Sequence, residues 1–279
     1  MFYLTRTILI TVCLTVLSSV SCVSAQNKSC INQLDRWSSG NELKLKGPVK
    51  SIRVKEQIYV SEGDFIVNTD KIFLKERFEF GKEGRKSEEY SYTTDGRESP
   101  RTTSVYNEKS WLIRQDTYSA TTQKPYLETR YIYDKAGNIL EAAQYSLDDS
   151  KLLQKWSFVQ DPTNRHFGFT DTDSRNKWRG RVGFTKDVQC RIREISSILE
   201  DGKIQAISSL EFDDKSNPIT VVSKSASGEI LGKRRFEYEF DLHGNWIKKS
   251  DFALNLEKGK SDWKLMNIVY REIEYYGAK

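Results

Sequence analysis

The chain has 279 residues, with 44 Lys and Arg against 39 Asp and Glu, and a net charge of +5. Both signs are interspersed along its length, a solubility pattern that excludes the concentrated basic stripe of a nucleic-acid binder. Its 14 Tyr, 13 Phe and 6 Trp, with few Leu clusters, point to a protein that packs rings carried on strands.

At the front, Arg6 precedes an apolar run from Ile8 to Val20 and then small residues ending Val23-Ser24-Ala25. Residues 1–25 therefore read as a secretory signal peptide cut after Ala25. The run falls short of the roughly 20 residues a spanning helix needs, and no later stretch is apolar enough to serve. A secreted or periplasmic chain with no transmembrane segment is expected, its charge reduced to +4 by the loss of Arg6. Acylation at Cys22 is the weaker alternative, because the position three residues before it holds Ser19 where a lipobox has Leu.

Residues 26–48 form a polar N-terminal segment containing Cys30. With the leader removed, Cys30 and Cys190 are the two remaining cysteines. In an oxidising compartment they are a candidate disulfide; two unrelated thiols are the alternative.

From residue 49 to 279 the chain repeats. Taking the residue just before each turn as anchor gives Phe80, Tyr106, Tyr133, Val159, Phe184, Phe212 and Phe240, spaced by 25–28 residues. Five positions later stand Arg85, Trp111, Asn138, Asn164, Gln189, Asn217 and Asn245. Twelve positions later, four units carry Tyr92, Tyr118, Tyr145 and Phe252. In "YDKAGN", Asp134 accepts backbone hydrogens at the start of a type I turn, Gly137 takes the left-handed conformation, and Asn138 begins the return strand. "FDLHGN" repeats this with Asp241, Gly244 and Asn245. "FDDKSN" keeps Asp213 and Asn217 but has Ser216 in place of the glycine, which predicts a looser or different turn.

Period-two alternation flanks the turns: Phe236, Tyr238 and Phe240 on one face, Arg235, Glu237 and Glu239 on the other. The ambiguous segment 190–202 falls into the repeat as strand. Partial units at 49–60 and 263–276 bring the expectation to 15 or 16 strands.

The pattern aromatic-Asp-x-x-Gly-Asn, followed by a strand and recurring at this interval, resembles the YD repeats of RHS-type bacterial secreted proteins. Residues 133–138 and 240–245 match well and 212–217 in part. The resemblance implies a β-rich secreted architecture; neither a self-cleaving core region nor a toxin domain is seen, so no toxic activity carries over. The fold class expected is all-β, an antiparallel meander of tandem hairpins forming a strongly curved sheet or a barrel. A flat sheet of that width could not bury its rings, and open sheets rarely exceed about ten strands. A membrane barrel is disfavoured by Thr102, Ser104, Thr220 and Lys224 in positions that would face lipid.

Chemistry is sparse. The two histidines, His166 and His243, stand alone in turns, and no nucleophile elbow, zinc motif or phosphate loop occurs. Asp148/Asp149, Asp213/Asp214 and the acids of 171–173 offer oxygen ligands for calcium, although turn chemistry accounts for them equally. No cofactor is expected. The sequence therefore reads as a secreted, non-catalytic repeat protein presenting a β surface to a protein or an envelope glycan, with Trp111, Trp178 and Trp263 as candidate stacking platforms. Two alternatives stay open: an enzyme with its site in the irregular region 161–181, and a barrel-type carrier of an apolar ligand.

Overall fold

The computed structural model describes residues 45–59, 71–161, 166–256 and 262–277; the leader, Cys30, Asn164 and most of the polar N-terminal segment lie outside them. Sixteen strands follow one another: β1 (Val49–Ile58), β2 (Ile72–Phe80), β3 (Lys86–Tyr92), β4 (Glu98–Tyr106), β5 (Leu112–Tyr118), β6 (Pro125–Tyr133), β7 (Ile139–Ser146) and β8 (Leu152–Gln160). The second half holds β9 (His166–Asp173), β10 (Trp178–Lys186), β11 (Ile192–Ile198), β12 (Ile204–Phe212), β13 (Pro218–Ser225), β14 (Ile230–Phe240), β15 (Trp246–Leu254) and β16 (Trp263–Tyr275). Each pairs antiparallel with its sequence neighbours, and β1 pairs with β16, so the meander closes into a barrel. Within the ambiguous segment 190–202, Ile192–Ile198 form strand β11 and the flanking residues form turns.

The repeat turns all lie at one end, here the near rim. Asp134 N–H donates to Asn138 O at 2.9 Å and Gly137 N–H to Asp134 O at 3.2 Å; Asp213/Asn217 and Asp241/Asn245 repeat the pattern. Gly84, Gly137 and Gly244 all have positive φ, as the turn requires. Contrary to expectation, Ser216 makes the same turn, at φ 65°, with its N–H bonded to Asp213 O at 3.0 Å. The Asp213 side chain holds it closed, accepting from Asn217 N at 2.6 Å and Nδ2 at 2.9 Å. A left-handed non-glycine costs roughly 1 kcal/mol, so Ser216→Gly should raise the unfolding free energy by about 0.5–1 kcal/mol in urea titrations.

Two of the sequence anchors shift. The fourth and fifth turns begin at Asp161 and Asp187, so Gln160 and Lys186, not Val159 and Phe184, hold the pre-turn position. Polar residues occupy that position there, which pushed an aromatic-based register upstream. Lys186 fills the ring's space by laying its stem against Phe167, Nζ 4.5 Å from the ring centroid. At the fifth turn Arg191 replaces Asn, and its Nε donates to Asp187 Oδ2 at 2.8 Å. Cys190 takes the left-handed position at φ 61° and is disulfide-bonded; its predicted partner, Cys30, lies outside the described residues.

Among the described residues, every ladder except β8–β9 carries a register shift. These bulges add the local twist that a closing sheet needs. Inner-face tyrosines then clasp hairpin to hairpin: Tyr106, Tyr133 and Tyr238 hydroxyls donate to the carbonyls of Lys86, Leu112 and Pro218 at 2.8–2.9 Å.

The seventh turn also fastens the barrel seam. Asn245, 2% exposed, accepts from Lys46 N at 2.6 Å and donates through Nδ2 to Lys46 O at 2.8 Å and Tyr275 Oη at 2.6 Å. Tyr275 in turn donates to Asp241. Asn138, in the same sequence context, bonds through Nδ2 only to its own Asp134 at 2.8 Å. Asn245→Ala should therefore cost about 2 kcal/mol more than Asn138→Ala, since it strands buried partners on two other segments; paired urea unfolding curves check this.

Candidate functional site

Cross-strand register sorts the side chains of each strand between the interior and the outside. Interior burial is deepest beside the near rim, where Phe80, Leu112, Ile139 and Ile192 are 1–4% exposed. Toward the opposite, far rim the inner positions become polar and half-exposed, as at Thr102, Thr117, Gln144 and Gln154. A circular section of sixteen strands would be about 30 Å across, more than wall side chains can fill. Among the described residues the interior is thus cup-like, closely packed at the near end and more exposed toward the far end.

A group of charged residues faces this interior from β1, β2, β14, β15 and β16. Glu56 is ion-paired with Lys75 at 2.9 Å and accepts from Asn267 Nδ2 at 2.7 Å. Asp251, 2% exposed, receives Arg234 through both oxygens, Nε to Oδ1 at 2.9 Å. Glu76 is held above the usual carboxylate range by burial, partly opposed by Lys75.

Two cations of the group have no ion pair among the described residues. Lys249, directly opposite Val269 and Tyr238 in the ladders, has no hydrogen bond or ion pair among the described residues. Its ammonium has ring neighbours instead, 5.5 Å from the Phe236 centroid and 5.8 Å from that of Trp246. Arg271, 7% exposed, stacks 3.3 Å above Trp246, and its buried Nε and Nη1 have no acceptor. Burial, reinforced by repulsion from Arg271, Arg234 and Lys75 and opposed by the attraction of Glu56, pushes Lys249 down to about 8. Arg271 is pushed down to about 9 by burial, against the attraction of Tyr238 and Glu76.

Tyr238 stands edge-on to Trp246, centroids 6.0 Å apart, and packs against the apolar wall of Phe184, Ile195, Leu210, Val221 and Phe236. Arg271 is buried and Lys249 half-buried, and a cation so placed without an ion pair is costly. The arrangement accordingly provides a place where an anionic group would be neutralised, with apolar wall beside it.

The residues singled out in the sequence fall elsewhere. Asp134, Gly137, Asn138, Asp213, Asn217, Asp241, Gly244 and Asn245 are near-rim turn residues. Trp111 is also at the near rim, 5.4 Å from the Tyr133 ring. Trp178 and Trp263 lie on the outer face near the far rim, opposite Thr172 and Leu254. The three tryptophans do not share one platform. In the irregular region, His166 points outward, 3.3 Å from Thr185 Oγ1, whereas Asp171 faces inward and accepts from Gln154 at 2.8 Å. They lie on opposite faces of β9 and do not converge.

Thr102 and Ser104 face the interior, so they carry no weight against a lipid-facing exterior. The outer face itself does: Arg77, Glu88, Arg101, Asp116, Glu128, Arg235 and Glu237 occupy its middle rows, leaving no continuous apolar band among the described residues.

Sequence reasoning missed Lys249, Arg271, Arg234, Asp251 and Trp246. One signal was available: Arg234 alternates in phase with Phe236, Tyr238 and Phe240, and Arg271 with Val269 and Ile273. A charge in phase with inward rings marks a polar lining.

No family model and no curated protein matches the chain. Among solved structures, it is similar to a porin-like protein from Bacteroides uniformis, at 11% identity over 82% of this chain and 98% of that one, with a TM-score of 0.33. A porin-like protein from Bacteroides vulgatus gives 11% identity over 82% and 100%, with a TM-score of 0.36. A protein of unknown function from Bacteroides fragilis gives 11% over 53% and 92%, with a TM-score of 0.22.

Proposed function

We propose that the barrel is a binding protein that carries a small anionic amphiphile in its interior. The observation that carries this reading is the inward pair Lys249 and Arg271 around Trp246, neither in an ion pair among the described residues and Arg271 with buried Nε and Nη1 lacking an acceptor. A carboxylate or phosphate between them would supply the missing acceptor for Arg271 and the missing counter-charge for Lys249. An alkyl or aryl tail would lie along the wall from Phe236 to Phe184. Of the three sequence readings, this develops the carrier of an apolar ligand and adds an anionic head.

Dodecanoate titrated into the purified protein, followed by calorimetry and by tryptophan fluorescence, tests the proposal. Saturable binding at one site is expected, with neutral dodecanol binding at least tenfold more weakly. Affinity should fall as pH rises through about 8, where unliganded Lys249 loses its charge. Equal binding of dodecanol and dodecanoate, or no saturable binding of either, overturns the reading.

A further inference from the structure

The outer surface is divided along the barrel axis. Its near-rim half is rich in glutamates: Glu79, Glu88, Glu211, Glu239 and Glu274 stand on outward rows. Its far-rim half carries the outward cations Arg101, Arg181, Lys224, Lys233 and Arg235, beside the acids Asp116 and Glu128.

The same half carries the rings that recur twelve residues after the anchors. Tyr92, Tyr118, Tyr145 and Phe252 all point outward and are joined there by Trp263. Cations lie across these rings. Arg101 is 4.4 Å from the Tyr118 centroid and Arg130 is 4.9 Å from that of Tyr145; Arg235 is 4.9 Å from Phe252 and 5.2 Å from Trp263. Beyond them, Ile72, Ile204, Ile230 and Leu231 are exposed at the rim itself.

We infer that the far rim docks on an anionic phospholipid surface. Tyrosine and tryptophan suit the headgroup level, where one edge of the ring is wet and the other apolar. Arginine and lysine reach past such rings to phosphates, each adding attraction to an anionic leaflet. The outward cations select the orientation: Arg181, Lys224 and Lys233 of the far half have no ion pair among the described residues, whereas Glu79, Glu88, Glu239 and Glu274 of the near half are each held by a cation. Rim isoleucines and leucines then enter the headgroup layer without any strand crossing the bilayer. This inference stands on the outer face alone and does not depend on the ligand reading. Were both to hold, the open end of the cup would face the lipid.

Co-sedimentation of the purified protein with phosphatidylcholine vesicles, with and without phosphatidylglycerol, tests it. Binding is expected only to the vesicles containing phosphatidylglycerol and should fall steeply with added salt. The pair Lys233→Glu and Arg235→Glu should weaken it by about tenfold or more, and Trp263→Ser with Phe252→Ser should also weaken it. The same charge change at exposed near-rim turn residues, Lys82→Glu with Lys135→Glu, and Lys249→Met should leave it unchanged. Circular dichroism verifies that each variant is folded, and the salt dependence of the unmodified protein gives a test free of substitutions. Absence of sedimentation with phosphatidylglycerol vesicles, or equal loss in the near-half and far-half variants, overturns the proposal.

Discussion

Replacing Lys249 by Met should stabilise the ligand-free barrel at neutral pH, by up to about 3 kcal/mol, while removing most of its affinity for dodecanoate. The side chain is kept in length and apolar contact with Phe236 and Trp246, so packing changes little. What is lost is a charge that folding encloses without a partner. Each unit of depression is worth about 1.4 kcal/mol, and water in the cup reduces the penalty below the full value.

The pH dependence gives the same argument a sign. Folding lowers Lys249 from 10.5 to about 8, so between those values the unfolded chain binds more protons than the folded one. Stability of the unmodified protein should therefore gain from this group as pH rises through that window. Below about 8 the penalty is present in full and constant. Tyr238, raised chiefly by burial, pulls the other way above its unfolded value of 10, and the comparison with Lys249→Met cancels it. Urea unfolding of both proteins at pH 7 and pH 9.5 should show the gap between them narrowing. A variant less stable than the parent at pH 7 would mean that Lys249 has a partner in the folded protein.

The second large effect is expected at Asp251. Asp251→Ala should cost about 3 kcal/mol, because it leaves Arg234 beside Lys249 and Arg271 with no counter-ion of its own. Arg234→Met in the same chain should recover most of that loss, since replacing both members of a buried pair by apolar groups is commonly neutral or favourable. If a single anion binds among these cations, Asp251→Ala should at the same time bind dodecanoate more tightly than the unmodified protein. Destabilisation with tighter binding separates a ligand-holding charge group from a purely structural one, in which both quantities would fall together.

The seam and the interior explain why the site was hidden in the sequence. Asn245 and Asn138 stand in near-identical turns, yet only Asn245 receives Lys46 and Tyr275, because only the seventh hairpin lies where the chain's start and end meet. Lys248 and Lys249 are adjacent and chemically identical. Lys248 pairs with Glu239 on the outer face at 2.6 Å, whereas Lys249 faces the cup. Their difference depends on the phase of β15, which a bulge resets just after the turn.

The features legible in the amino-acid order are local: strand–turn–strand units of about 27 residues, the Asp-x-x-Gly-Asn turn chemistry, the alternation that makes each strand two-faced, and a strand total near sixteen. These follow from backbone sterics and nearest-neighbour hydrogen bonds, which a few adjacent residues specify. Closure was left open between a curved sheet and a barrel, since it rests on pairing β1 with β16, residues more than two hundred positions apart. Which face turns inward was equally undetermined, because period-two patterning defines two faces without saying which is concave, and each bulge resets the phase. Only the closed barrel places Tyr92, Tyr118, Tyr145 and Phe252 outside, and Lys249, Arg271 and Asp251 inside.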